Sequence, residues 1–370
     1  MPSFTSATAK PVLVGLVAAA LLAAVAGGLM RAGAGWSQAA DGVVIGRAAV
    51  AHAALMMCGF LGTVVGVERA VAIKLRSAFA APFMSGLAGA LVLAGHDGPA
   101  AWLWAFAGVV FVAVNVVVVM RQPAPHTVLL LVGALAWLVG NLLFAVEPAA
   151  HAVLPWWFAF LVLTIAAERL EMTRLMRRHP VARPSLHAIL FTLLAAAAWS
   201  AADAVAGGVA YGAALAALAV WLGAFDIARR TALSHGLGRY MAVCLLSGYV
   251  WLGVAGLAWV AMSLGLPTRD LALHALGLGF IFSMVMGHAP VILPAVVRVK
   301  LLFGPWFYAP LALLHGSLVL RLLGGLAIPE LRSIGSSLNA VALALFVLTV
   351  AGSVLAWRLR PATLPSHGTP

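Results

Sequence analysis

Four histidines stand inside long apolar stretches of this chain: His52, His274, His288 and His315. A polar side chain is costly in hydrocarbon, so an ionisable group kept there is a candidate for function. The first lies in His52-Ala-Ala-Leu-Met56-Met57-Cys58-Gly59-Phe60, with Met56 four residues on and hence on the same helix face. The second opens His274-Ala-Leu-Gly277-Leu-Gly279-Phe-Ile-Phe-Ser-Met284-Val-Met-Gly287-His288, where Met284 and His288 are again four apart. Imidazole and thioether are side chains that ligate haem iron and copper. Glycines at 277, 279 and 287 thin the second helix, so a neighbour or a flat cofactor can approach it closely. The competing reading is structural, because buried histidines also hydrogen-bond between membrane helices.

These residues need membrane helices to position them. Twenty or so apolar residues cross the hydrocarbon core at the helical rise. Charged and Gly/Pro-rich breaks divide the chain into twelve such spans: 11–30, 43–66, 78–95, 100–120, 127–146, 151–170, 186–206, 208–225, 240–265, 270–297, 305–326 and 336–357. The weakest division, between the seventh and eighth, rests on Asp203 and Gly207-Gly208. The apolar run after Lys10 resembles a signal peptide but reads as a retained first helix, since its removal would leave an odd number of spans. Spans two and ten run the same way. At the helical rise His52 lies about 14 Å and His274 about 6 Å below their starts, similar depths on separate helices, as a bis-imidazole haem requires. His288 lies about 21 Å deeper than His274 and cannot share that iron. With His315 it is expected to form an inner polar site. Pro290 and Pro294 are expected to break or kink span ten just after His288. Arg321, two turns past His315, is placed to face a haem propionate or to snorkel outward.

Composition agrees with lipid as the solvent. Hydrophobic residues make up 64% of the 370 and charged residues 9%, and the mean hydropathy is +1.09. A soluble domain carries about 25% charged residues. The net charge of +12 sits in short clusters between spans, as at Arg174, Arg177, Arg178 and Arg183, which excludes a nucleic-acid-binding face. Of the 22 Lys and Arg residues, 17 fall on one side of the twelve-span arrangement and only Arg31, Arg47, Arg269, Arg321 and Arg332 on the other. The basic side is cytoplasmic by the positive-inside rule, and with it both termini. Trp36, Trp102, Trp104, Trp156 and Trp157 then mark the outer interface, and Trp306 and Trp357 the inner one. Cys58 and Cys244 fall within spans and imply no disulfide framework. Glu68-Arg69 and Glu168-Arg169 repeat at the inner ends of spans two and six and read as interfacial ion pairs. The fold expected is all-α: one transmembrane helical domain over 1–360, followed by a disordered cytoplasmic tail at 361–370.

At the two histidine helices the chain resembles the NnrS family, bacterial inner-membrane proteins linked to nitric oxide stress. His-Ala-x-x-Met-x-x-Gly-Phe at 52–60 and His-Ala-Leu-x-x-Gly-x-Ile-x-x-Met-x-x-Gly at 274–287 are similar to that family's signatures, and the twelve spans fit it too. The resemblance implies haem and copper, held at His52 and His274. It departs from the family at Ala54, where a second histidine is usual, and at His288-Ala289-Pro290. A more distant likeness is to the catalytic subunit of haem–copper oxidases. That subunit also has twelve helices, with low-spin haem ligands on helices two and ten, but its paired copper histidines on helix seven have no counterpart here.

The expected function is therefore that of an NnrS-like haem-binding membrane protein with a redox or nitric-oxide-related role. Its cofactor is a b-type haem, with copper as a second group, and His52 and His274 are the axial ligands. Met56, Met284 and Arg321 complete the cofactor set, and His288 and His315 are further metal candidates. Its partners are the bilayer and a small gaseous ligand or redox partner. The rival is a secondary transporter or metal-handling permease in which the same His and Met groups line a pathway. A structural subunit of a respiratory assembly is a third class.

Overall fold

The computed structural model of the chain describes residues 9–34, 42–172 and 180–360. Among these residues every regular element is helical, and twelve helices are long and apolar enough to cross a membrane. They are α1 (Pro11–Arg31), α3 (His52–Ile73), α4 (Ser77–Ala94), α5 (Asp97–Arg121), α6 (Pro125–Val146), α7 (Val153–Met172), α8 (Ala182–Trp199), α9 (Ala204–Phe225), α10 (Gly236–Ser263), α11 (Arg269–Val296), α12 (Pro305–Ala327) and α13 (Pro329–Arg358). A short helix, α2 (Gly42–Val50), precedes α3. The tail at 361–370 and the Arg174–Arg178 cluster lie outside the described residues.

Successive helices pack as antiparallel neighbours, and α1 closes the arrangement by touching α13. The innermost element is α7, buried continuously from Trp157 to Ala167. It is apolar on all sides because it has no lipid or water face to supply. Phe111 and Trp137 pack on its Phe160, with Trp137 stacked at 5.5 Å. The outer surface is apolar as well: Leu22, Met120, Val220 and Val250 are each more than two-thirds exposed. Such a surface is an aggregation hazard in water and a natural boundary in lipid. The chain is a multi-pass membrane protein.

The boundaries hold four corrections. The run 43–66 is not one span, because the chain turns at Ala51 and α3 begins at His52 itself. Hydropathy misses that turn, since every residue across it is apolar or small. The seventh and eighth spans divide at 200–203 rather than 207, where Asp203 caps α9 by accepting from the Val205 and Ala206 amides at 2.9 Å each. Pro290 and Pro294 do not break the tenth span, and α11 runs helically past both. Trp104 and Trp157 are core residues rather than interfacial ones, fully buried with their indole N–H groups on the Ser85 carbonyl and the Asn141 amide oxygen. Trp36 lies outside the described residues.

Helix α3 widens into π-helical geometry over Leu55–Gly62, and α11 does so over Ala275–Phe282. A third such stretch, Val319–Gly324 in α12, contains Arg321. Short π segments inside α-helices recur at functional sites. Here each follows or contains a residue singled out from the sequence.

Candidate functional site

His52 opens α3 and His274 stands in the second turn of α11, and their ring centres are 6.3 Å apart with planes inclined by 32°. The two histidines are neighbours, as expected, although His52 lies at the very start of its span rather than about 14 Å below it. The shared geometry continues inward, where Phe60 and Phe282 stack at 5.9 Å and 13°. Each phenylalanine lies eight residues after its histidine. That matched spacing is a signal the sequence carried and the histidine pattern alone did not exploit.

Both imidazoles are tied at Nδ1. His52 Nδ1 donates to the Ala24 carbonyl of α1 at 2.7 Å. Its ring packs so close to α1 that a Cβ on Gly28 would come within 2.8 Å of Cε1, so only glycine leaves the ring in place. His274 Nδ1 meets the Asp270 carboxylate at 2.9 Å, one helical turn back. An N–H committed at Nδ1 puts the lone pair on Nε2, which in His274 accepts from the Arg321 guanidinium, so a metal would have to displace that contact. Arg321 Nη2 lies 3.1 Å from His274 Nε2 while bonding Asp270 Oδ1 at 2.8 Å. Its Nε reaches Asp270 Oδ2 at 3.1 Å, which makes a two-pronged carboxylate pair. Arg332 adds a third cationic contact, 3.3 Å from Asp270 Oδ2. Asp270 is therefore the hub that fixes His274, Arg321 and Arg332 together.

Two joined cavities meet the histidines. The inner one, of about 130 Å³, has apolar walls that include Met56, Met57, Phe158 and Phe282, with Asn339 and Arg321 also lining it. The outer one, of about 920 Å³, shares His52, His274 and Arg321 and is lined by the arginines of the basic-poor end. Met56 therefore joins the site as expected. Met284 does not, because its methyl group packs against Gly248 of α10. Met57, Gly28, Asp270 and Asn339 belong to the site and were not read from the sequence. Their roles depend on contacts between helices far apart in the chain.

His288 and His315 have separate partners. His288 Nδ1 donates to the Met284 carbonyl at 2.7 Å, so its Nε2 accepts from Arg169 at 3.0 Å. His315 Nδ1 accepts from the Trp251 indole at 2.8 Å with the two rings within 7° of coplanar, which leaves the proton on Nε2. In neither ring is a lone pair left over, and no contact joins the two. The inner polar site gathers around His288 instead, where the Glu68-Arg69 and Glu168-Arg169 pairs lie within electrostatic reach of one another. No group of three or more His, Cys, Asp or Glu side chains gathers as a metal cage among the described residues. Cys58 and Cys244 are free and buried.

The profile of one family, described as a domain of unknown function (DUF8744), matches residues 10–355. No curated protein and no solved structure matches the chain.

Proposed function

As the chain belongs to the DUF8744 family, whose description carries no activity, we propose from its own residues that it binds haem in the membrane between His52 and His274. On this reading it serves a redox or nitric-oxide-related role like that of the NnrS proteins it resembles. The observation that carries the proposal is the imidazole pair, with ring centres 6.3 Å apart and each Nδ1 committed to a fixed acceptor. Two metal–nitrogen bonds of about 2 Å, plus the depth of each ring, separate imidazole centres by about 6 Å. A carbonyl or carboxylate on Nδ1 is also what orients a ligating histidine and raises its basicity.

Two protein donors suit a metal that arrives with its own ring of nitrogens, whereas a bare zinc or copper ion takes three or four. Copper, which the resemblance implies, would compete for the same two imidazoles, because His288 and His315 are engaged elsewhere. The chemistry of the surroundings suits a porphyrin too: apolar walls on the inner side for its macrocycle and guanidinium groups above for its carboxylates. When bound, haem supplies one-electron chemistry or a coordination position for a small gas. The chain's part would be to offer the His52 and His274 imidazoles, present apolar walls on the Met56–Phe282 side and counter negative charge at Arg321. By charge asymmetry the histidine end faces away from the cytoplasm, with the inner membrane of a bacterium as its location.

The protein purified from a haem-replete host should show a Soret band and a low-spin reduced spectrum. His52→Ala or His274→Ala should abolish the low-spin form or the haem, in variants shown to insert and stay monodisperse, while His96→Ala should change nothing. A colourless, well-folded wild type that takes up no added haem would sink the proposal in favour of a permease.

A further inference from the structure

All five basic residues of the basic-poor end converge on one cavity. Arg31 ends α1, Arg47 stands in α2, Arg269 opens α11, Arg321 lies in α12 and Arg332 in the first turns of α13, and all five line the outer cavity. Orienting a membrane protein requires only that positive charge be scarce on this side. It does not gather the remaining charges from five helices into one concavity, where they repel each other.

The compensation on hand is partial. Among the described lining residues two carboxylates, Asp97 and Asp270, face the five guanidinium groups. Asp270 already takes Arg321, Arg332 and His274 on its two oxygens. Arg31 and Arg47 are steadied by backbone carbonyls, Ala49 at 3.3 Å and Leu93 at 3.2 Å, which fix position without cancelling charge. Arg269 and Arg332 are exposed at the rim.

We propose that this vestibule binds a polyatomic anion, a carboxylate or an inorganic oxyanion, directly above the histidine pair. Guanidinium groups give paired hydrogen bonds to the oxygens of such groups, and low-dielectric walls focus their field into the cavity. Two sources share this chemistry: the carboxylate arms of a group bound at the histidines, and a free anion from the water outside. The site stands on the arginines and does not depend on the haem assignment.

The full-length protein, purified in detergent at low salt, is titrated calorimetrically with nitrate, sulfate and acetate, before and after haem addition, with absorbance recorded in parallel. Saturable binding is expected, weakened about tenfold or more by Arg31→Gln with Arg269→Gln. It should be unaffected by Arg229→Gln with Arg230→Gln, which removes the same charge at the opposite end. If the first double variant misfolds, Arg269→Gln with Arg332→Gln makes the same comparison at exposed side chains. Binding lost on haem addition assigns the vestibule to carboxylate arms, and binding retained assigns it to a free anion; both uphold the site. Absence of saturable binding with every probe, or equal binding in wild type and the vestibule variants, overturns it. A protein that binds the anions yet never takes up haem upholds this site while sinking the haem reading.

Discussion

At the scale of single residues, Asp270 is the member of the site with the most to lose. Its carboxylate orients His274 and joins two arginines. Asp270→Asn leaves those guanidinium groups without their counter-charge, which costs about 3 kcal/mol for a buried pair. It should also weaken haem uptake about ten- to a hundredfold, as loss of an outer-shell carboxylate typically does. Haem titration and thermal unfolding of the variant check both numbers. Gly28→Ala acts on the other imidazole, pressing a methyl group onto His52 Cε1, and should lower haem content while helix content is retained. Neither Asp270 nor Gly28 was legible beforehand, because an aspartate at a helix start and a glycine in an apolar run are ordinary until a partner from another helix arrives. The histidines were legible for the opposite reason: in hydrocarbon their mere presence is a cost that asks for a cause.

Asp226, just beyond α9, offers a pH test. Burial raises its carboxyl above the ordinary carboxylate range, with Arg169, the Ala228 amide, Tyr249 and His288 offsetting part of that effect. The folded state then holds a proton that the unfolded chain releases, so stability declines as pH climbs above about 4 and levels off past the folded value. Asp226→Asn keeps the side-chain oxygen that caps the Ala228 amide and should flatten that decline in the unfolding midpoint. Parallel pH profiles for the two proteins would refute it.

At the scale of elements, the π stretches are what the sequence could not announce. A π turn holds one residue more than an α turn between its bonded groups, yet its hydropathy is that of any membrane helix. Deleting Leu278 removes that surplus residue, so α11 should return to α geometry with His274 and the turns after Phe282 kept nearly in phase. The expected result is unchanged helicity by circular dichroism with the low-spin spectrum retained; its loss would mean that the wide turn itself shapes the histidine site. Trp251→Phe should remove the bond to His315, costing about 0.6–2 kcal/mol, with a packing loss from the smaller buried ring on top. A change in haem spectrum would mean that His315 does more than tie α12 to α10. Span number was readable because length, apolarity and the sidedness of Lys and Arg constrain one another. The turn at Ala51 was not, since nothing polar marks it.

At the scale of the whole molecule, sidedness is the property to measure. With Cys58 and Cys244 buried, a cysteine placed at Arg269 should react with a membrane-impermeant maleimide from outside the cell, and one at Arg229 only after lysis. The reverse pattern would invert the proposed orientation. The convergence of five guanidinium groups on one mouth has an energetic consequence for electrons. Positive potential favours whichever state carries more negative charge. A redox group beneath that mouth is therefore easier to reduce than the same group in plain hydrocarbon, and its midpoint potential should fall when Arg269 and Arg332 become glutamine. The same field repels free metal cations from the outer water, so whatever reaches the two imidazoles by that route must come as a neutral or anionic species.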